Sequence, residues 1–97
     1  MTRFRFYVGL KGNTGQNKAH ACLIQRFGGY TRMTGNGAWT SPGGDTIREQ
    51  TMLYEVLADM PAGAATPAAK ATAETLAGLC TQKSVLWTVE DVQGGFT

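Results

Sequence analysis

Arg48 and Glu49 follow one another just past the turn-forming run Ser41-Pro42-Gly43-Gly44-Asp45, and Trp39 lies just before it. A guanidinium offers a planar fork of donors that matches carboxylate or phosphate, and an aromatic ring offers a surface on which a base can stack. The same pairing of residue types recurs in Tyr30 and Arg32, and again in Arg5 and Tyr7 of the N-terminal run. Arg48, Glu49, Trp39, Arg32, Tyr30, Arg5 and Tyr7 therefore make up a candidate site for an anionic, nucleotide-like small ligand, held in a cleft between subunits. The competing reading turns these residues into structural Arg–Glu pairs.

Other reactive side chains are few. His20 is the only histidine, and Cys22 lies two residues further along the same candidate helix, where it points to a different side. Cys22 and Cys80 have no C-x-x-C spacing, so they read as small core hydrophobes in a reduced compartment rather than as a disulfide or zinc ligands. Gly12-Asn13-Thr14-Gly15 precedes a helix start and is a weak candidate for phosphate, since the G-K-[ST] ending of a P-loop is absent. Gly35-Asn36-Gly37 and Gly43-Gly44 are better explained by turn geometry. These observations lead to an expectation of no catalytic residue, no metal and no cofactor.

A chain of 97 residues is expected to form one domain over its whole length, 1–97, in the size range where oligomerisation often adds stability. A formal charge of +2 with only 16% charged residues lacks the basic surplus that nucleic-acid binding needs, so a nucleic-acid partner is not expected. The opening Met1-Thr2-Arg3 leads straight into a strand-like pattern, and no stretch approaches the roughly 18 consecutive apolar residues of a membrane span. A cytoplasmic protein without signal peptide or membrane partner is the resulting expectation.

The elements that must position the candidate residues follow from periodicity. Arg3 to Leu10 alternates with period two, which turns Phe4, Phe6, Val8 and Leu10 toward a core. Ala19, Cys22, Leu23, Ile24 and Phe27 have helical spacing, so a helix is predicted from Gln16 to Phe27, stopped by Gly28-Gly29. Tyr30 to Thr34 reads as a second strand, with a bulge or bend at Gly35-Asn36-Gly37. Ser41 to Asp45 suits a type II turn, which leads into a long strand from Thr46 to Leu57. Thr66 as N-cap and Pro67 as the first helical residue predict a second helix to about Cys80, burying Ala69, Thr72, Ala73, Leu76 and Cys80. Ser84 to Val89 is the last strand, followed by a short edge extension or a disordered tail.

Strand, helix, strand, strand, helix, strand is the ferredoxin-like βαββαβ order of an α+β fold, with two helices on one face of a four-stranded antiparallel sheet. The other face is left open. The third and fourth strands carry apolar residues on both parities, as strands covered on both sides do. A homodimer or higher homo-oligomer is expected, packed through that face or through the Trp39 hairpin.

F-Y-V-G-L at Phe6 to Leu10, G-G-Y-T at Gly28 to Thr31, G-x-W at Gly37 to Trp39, R-E at Arg48-Glu49 and Q-x-S-V-L at Gln82 to Leu86 resemble, in this order, a set of small bacterial and phage ferredoxin-like proteins of unknown function. The resemblance spans nearly the whole chain. It implies a phage-type protein that counters host defence. Three functions follow. The leading one is a non-enzymatic protein that sequesters a nucleotide-derived ligand at a homo-oligomer interface. The second is an anti-CRISPR-like inhibitor that covers a host defence complex. The third is a small dimeric ferredoxin-like enzyme with His20 or Glu49 as base.

Overall fold

Alternation in the first strand decides which residues enter the core. The computed structural model describes residues 1–10, 14–61 and 63–97. In it β1 (Thr2–Gly9) buries Thr2, Phe4, Phe6 and Val8 and leaves Arg3, Arg5 and Tyr7 half-buried on the other side. The remaining elements are α1 (Gln16–Phe27), β2 (Thr31–Thr40), β3 (Thr46–Ala58), α2 (Ala65–Leu79) and β4 (Leu86–Asp91). The strands form one antiparallel sheet in the order β2-β3-β1-β4, which is the ferredoxin-like α+β arrangement expected from the element order. Among the described residues no helix is long and apolar enough to cross a membrane, and Cys22 and Cys80 are free thiols.

One face of the sheet carries the core. Phe4, Phe6, Val8, Met52, Tyr54 and Val56 pack against Ala19 and Leu23 of α1 and against Ala69, Ala73 and Leu76 of α2. Fully burying a side chain of the size of Phe or Leu stabilises by about 1.5–3 kcal/mol, so these residues carry much of the net stability. The alanines of α2 let its backbone approach the sheet closely. Thr72, buried in the same stripe, is satisfied because its hydroxyl accepts from Arg26 of α1 at 3.1 Å.

Local expectations differ from the structure at five places. Ile24 is 54% exposed rather than buried, because the helix faces the core with the narrower stripe Ala19 and Leu23. β2 runs through Gly35-Asn36-Gly37 without a bulge, pairing each residue with Thr51, Gln50 and Glu49 in unbroken register. The turn is not type II. The Gly44 amide donates to the Ser41 carbonyl at 2.9 Å, and the positive φ falls on Gly44 rather than Gly43, as in a type I turn followed by a left-handed glycine. α2 begins two residues earlier, with Ala64 as N-cap, so Thr66 lies in its first turn. β4 starts at Leu86 rather than Ser84 and extends to Asp91, its end held by paired bonds between Met1 and Val92.

The β2–β3 hairpin is longer than the rest of the sheet. β1 pairs with β3 only from Thr51 onward, so the hairpin from Asn36 to Gln50 projects past β1 and gives the molecule its long axis of 44 Å against 26 and 25 Å.

Where α1 meets β3, His20 Nε2 lies 3.0 Å from the Tyr54 hydroxyl, and the rings of Tyr30 and Tyr54 flank the imidazole at 5.0 and 5.5 Å. Burial, with a smaller contribution from the Arg32 charge, holds the His20 pKa below its ordinary value. Burial pushes the Tyr54 hydroxyl up to about 12, so it stays protonated. A histidine whose folded pKa is depressed is protonated more readily in the unfolded chain. Its contribution to stability is therefore present in full above the unfolded value of about 6.5 and is lost as pH falls from there through the lower folded value. The urea midpoint is expected to fall between about pH 7.5 and pH 5.5, and to fall less in His20→Gln. An equal fall in both proteins would remove His20 as the cause.

Candidate functional site

The alternation that buries Phe4, Phe6 and Val8 turns the odd-numbered residues of β1 to the open face. Pairing extends this choice across the sheet. Arg3 lies beside Leu57 and Glu90, Arg5 beside Glu55 and Thr88, and Tyr7 beside Leu53 and Leu86. In the same rows, β2 places Thr31 beside Glu55, Met33 beside Leu53, Gly35 beside Thr51, Gly37 beside Glu49 and Trp39 beside Ile47.

The open face thus changes character along the strands. At one end the charges are matched: Arg3 pairs with Glu90, and Arg5 donates to Glu55 at 3.0 Å. In the middle an apolar row, Met33, Leu53, Tyr7 and Leu86, crosses all four strands. At the far end, beneath the projecting hairpin, is a cleft of about 520 Å³ rimmed by Tyr7, Trp39 and Leu86 and lined by Glu49, Thr51, Gln82, Lys83 and Ser84. Such a volume lies within the range of small-molecule sites. A shallower depression of about 350 Å³ adjoins it over Met33, Gly35 and Leu53.

Two glycines lie under the side chains that line the cleft. A β-carbon on Gly9 would lie 2.7 Å from Gln82 Oε1 and 2.8 and 2.9 Å from the two carboxylate oxygens of Glu49. Both side chains therefore fold over bare backbone. A β-carbon on Gly37 would likewise meet Thr51 Oγ1 at 2.8 Å. Among the described residues, no ion pair or hydrogen bond engages the Glu49 carboxylate. It is a half-buried anion in a cleft with aromatic walls.

Gln82 reaches the cleft because of the way α2 ends. The Gln82 amide donates to the Ala77 carbonyl at 2.8 Å and the Thr81 amide to the Gly78 carbonyl at 3.5 Å, the two bonds of a Schellman motif. Its left-handed position is normally glycine. Here it is Thr81, at φ 54°, and a β-branched residue held there costs about 1–2 kcal/mol.

The structure divides the residues nominated from sequence. Glu49, Trp39 and Tyr7 meet in the cleft, and Arg5 shares their face but is occupied by Glu55. Arg48 has the opposite parity from Glu49 and is absent from the cleft lining; it lines a second, adjoining depression with Asn36, Ala38, Gly37 and Glu49 itself. Arg32 is the neighbour of Tyr54 on the helix side, and Tyr30 packs on His20 and Tyr54. One chain does not bring all seven together. Sequence reasoning missed Gly9, Thr51 and Gln82 as cleft residues. Gly9 and Gln82 stood inside F-Y-V-G-L and Q-x-S-V-L, and the signal available was a glycine on the outward parity of a strand, where a close approach is one reason for it. Of the phosphate candidate, Gly12 and Asn13 lie outside the described residues, and a β-carbon on Gly15 would lie 1.9 Å from the Leu79 carbonyl oxygen. That glycine therefore serves the packing of α1 against the end of α2. No group of three or more potential metal ligands occurs among the described residues.

Two solved structures share this fold. One is a phage SAM lyase in complex with S-methyl-5'-thioadenosine, with a TM-score of 0.76 and 16% identity over 93% of this chain and 80% of that one. The other is a phage SAM lyase in the apo state, with a TM-score of 0.72 and 17% identity over 92% of this chain and 78% of that one. No protein-family model and no curated protein matches the chain. At this identity the likeness establishes the fold, in company with phage proteins. It also overturns the expectation of a non-enzymatic sequestering protein and its anti-CRISPR-like alternative. That expectation took the lack of a paired acid–base motif to mean a lack of chemistry, whereas both structural neighbours are enzymes.

Proposed function

We propose that this protein is a lyase that cleaves S-adenosylmethionine (SAM), with the open-face cleft as its active site. The observation that carries the reading is the Glu49 carboxylate, without a partner among the described residues, lining an aromatic-rimmed cleft in a fold shared with SAM lyases. SAM is a sulfonium cation. Breaking its bond from sulfur to the four-carbon amino-acid chain sends both electrons to sulfur and releases neutral S-methyl-5'-thioadenosine, the molecule bound in one of the two neighbours. The remaining fragment closes on its own carboxylate or loses a proton, and neither route consumes water.

Each cleft residue has a part in this chemistry. Glu49 attracts the sulfonium and orients it, an electrostatic role that grows as the site excludes water. Tyr7 and Trp39 offer ring faces to the adenine and to the cation, the latter contact being worth about 0.5–2 kcal/mol. Arg48, Arg32 and Tyr30 lie outside the proposed site of a single chain. Purified protein incubated with SAM is expected to form S-methyl-5'-thioadenosine faster than an enzyme-free blank, measured by liquid chromatography and mass spectrometry. Glu49→Gln should lower kcat/KM by on the order of 100-fold. Product no faster than the blank from folded wild-type protein sinks the proposal.

The reading includes assembly with further copies of the chain. Leu86, Trp39 and Met33 are 63%, 52% and 48% exposed, and with Leu53 and Tyr7 they form a contiguous apolar surface of a kind that monomers rarely leave bare. Copies packed through this face would close the cleft at a subunit boundary. Native mass spectrometry is expected to detect a homo-oligomer, and Leu86→Lys to shift it toward monomer. A wild-type monomer at assay concentration would contradict the assembly.

A further inference from the structure

We infer that Gln82 is a specificity-determining residue: its side-chain oxygen completes, with the two carboxylate oxygens of Glu49, a nest that distinguishes a sulfonium from the neutral thioether left after cleavage. This deepens the SAM-cleaving reading of the cleft and rests on it. Three oxygens from two distant parts of the chain converge over Gly9, each within 3 Å of the point where a β-carbon would stand. An amide oxygen turned toward a carboxylate is repelled by it unless a cation lies between them or the amide turns over. With the amide held in this orientation by its Nε2 contact to the Cys80 carbonyl, the convergence is favourable only around positive charge.

Backbone geometry holds Gln82 in this position. Thr81 keeps a left-handed conformation that its side chain disfavours, and the resulting turn bonds the Gln82 amide to Ala77, which aims the side chain across β1 toward Glu49. The Gln82 amide nitrogen lies 3.4 Å from the Cys80 carbonyl, and that contact leaves the oxygen facing the cleft. Strain retained at a residue next to a site points to positioning as its use. A thioether offers these oxygens no charge, so the nest loosens its hold as the reaction neutralises sulfur. Substrate is retained and product is released by the same three atoms.

A pair of ligands that differ by one methyl group and one charge tests the assignment. S-methyl-5'-thioadenosine is neutral, and its S-methylated form, 5'-dimethylsulfonio-5'-deoxyadenosine, carries the sulfonium but lacks the amino-acid chain and so is not a substrate for the cleavage. Calorimetric titration of wild-type protein is expected to give a preference for the sulfonium. Gln82→Leu, close in volume but without the oxygen, should reduce that preference by on the order of tenfold, with little change for the thioether. Gln82→Glu, which keeps an oxygen at that place, should retain it. A wild-type protein that binds both ligands alike, or a Gln82→Leu variant that keeps the preference, overturns the inference. Loss of SAM cleavage in the wild type with the sulfonium preference intact would instead count against the lyase reading alone.

Discussion

Burial of Phe4, Phe6 and Val8 between the sheet and the helices is the constraint on which the rest depends. A strand has only two faces, and a one-residue slip would exchange them. Once these three side chains are inside, Arg3, Arg5, Tyr7 and Gly9 are outside, and the β1–β3 register assigns Glu49, Thr51, Leu53 and Glu55 to the same side. The candidate site is thus a consequence of core packing. Its floor is Gly9, the next outward position after Tyr7.

Chemistry on this face is arranged as a gradient along the strands. Where β1 begins, arginines meet carboxylates and the charges are satisfied within the sheet. Where β1 ends, the projecting hairpin and the turn after α2 bring a carboxylate and an amide over backbone that has no side chain. A carboxylate near matched arginines in partial water is worth little as a ligand for a cation. Glu49, set apart from those arginines and beside aromatic rings, keeps its charge available. The separation of Arg5–Glu55 from Glu49 is what leaves an unpaired carboxylate, among the described residues, at one end of an otherwise structural face.

Much of the fold was legible because period-two and helical spacing are properties of the chain itself. The bounds of α1 and the buried stripe of α2, from Ala69 to Cys80, follow directly from those patterns. What escaped was set by partners distant in sequence. Gly35 and Gly37 suggest a bulge when read alone, but β3 pairs with them in step, and a β-carbon on Gly37 would crowd Thr51 Oγ1, which stands over it. The candidate site was half legible for the same reason. Residue type singled out Glu49, Trp39 and Tyr7, yet Arg48 was grouped with Glu49 by adjacency, and adjacency on a strand means opposite faces. Gln82 was unreadable as a site residue because its approach to Gly9 depends on the left-handed Thr81. The lack of an acid–base pair was read as a lack of activity, which the two enzymes of the same fold overturn; the proposed cleavage of a sulfonium would need a held cation more than a dedicated proton carrier.

The most direct test of the account is to map where the nucleoside binds. S-methyl-5'-thioadenosine titrated into isotopically labelled protein, followed by backbone amide NMR, is predicted to shift Gly9, Gly37, Glu49, Thr51 and the segment from Gln82 to Leu86, leaving the His20–Tyr30–Arg32 side unchanged. Shifts confined to that side, or to Arg48 and Asn36 on the opposite face of the hairpin, would contradict the proposed placement of the active site.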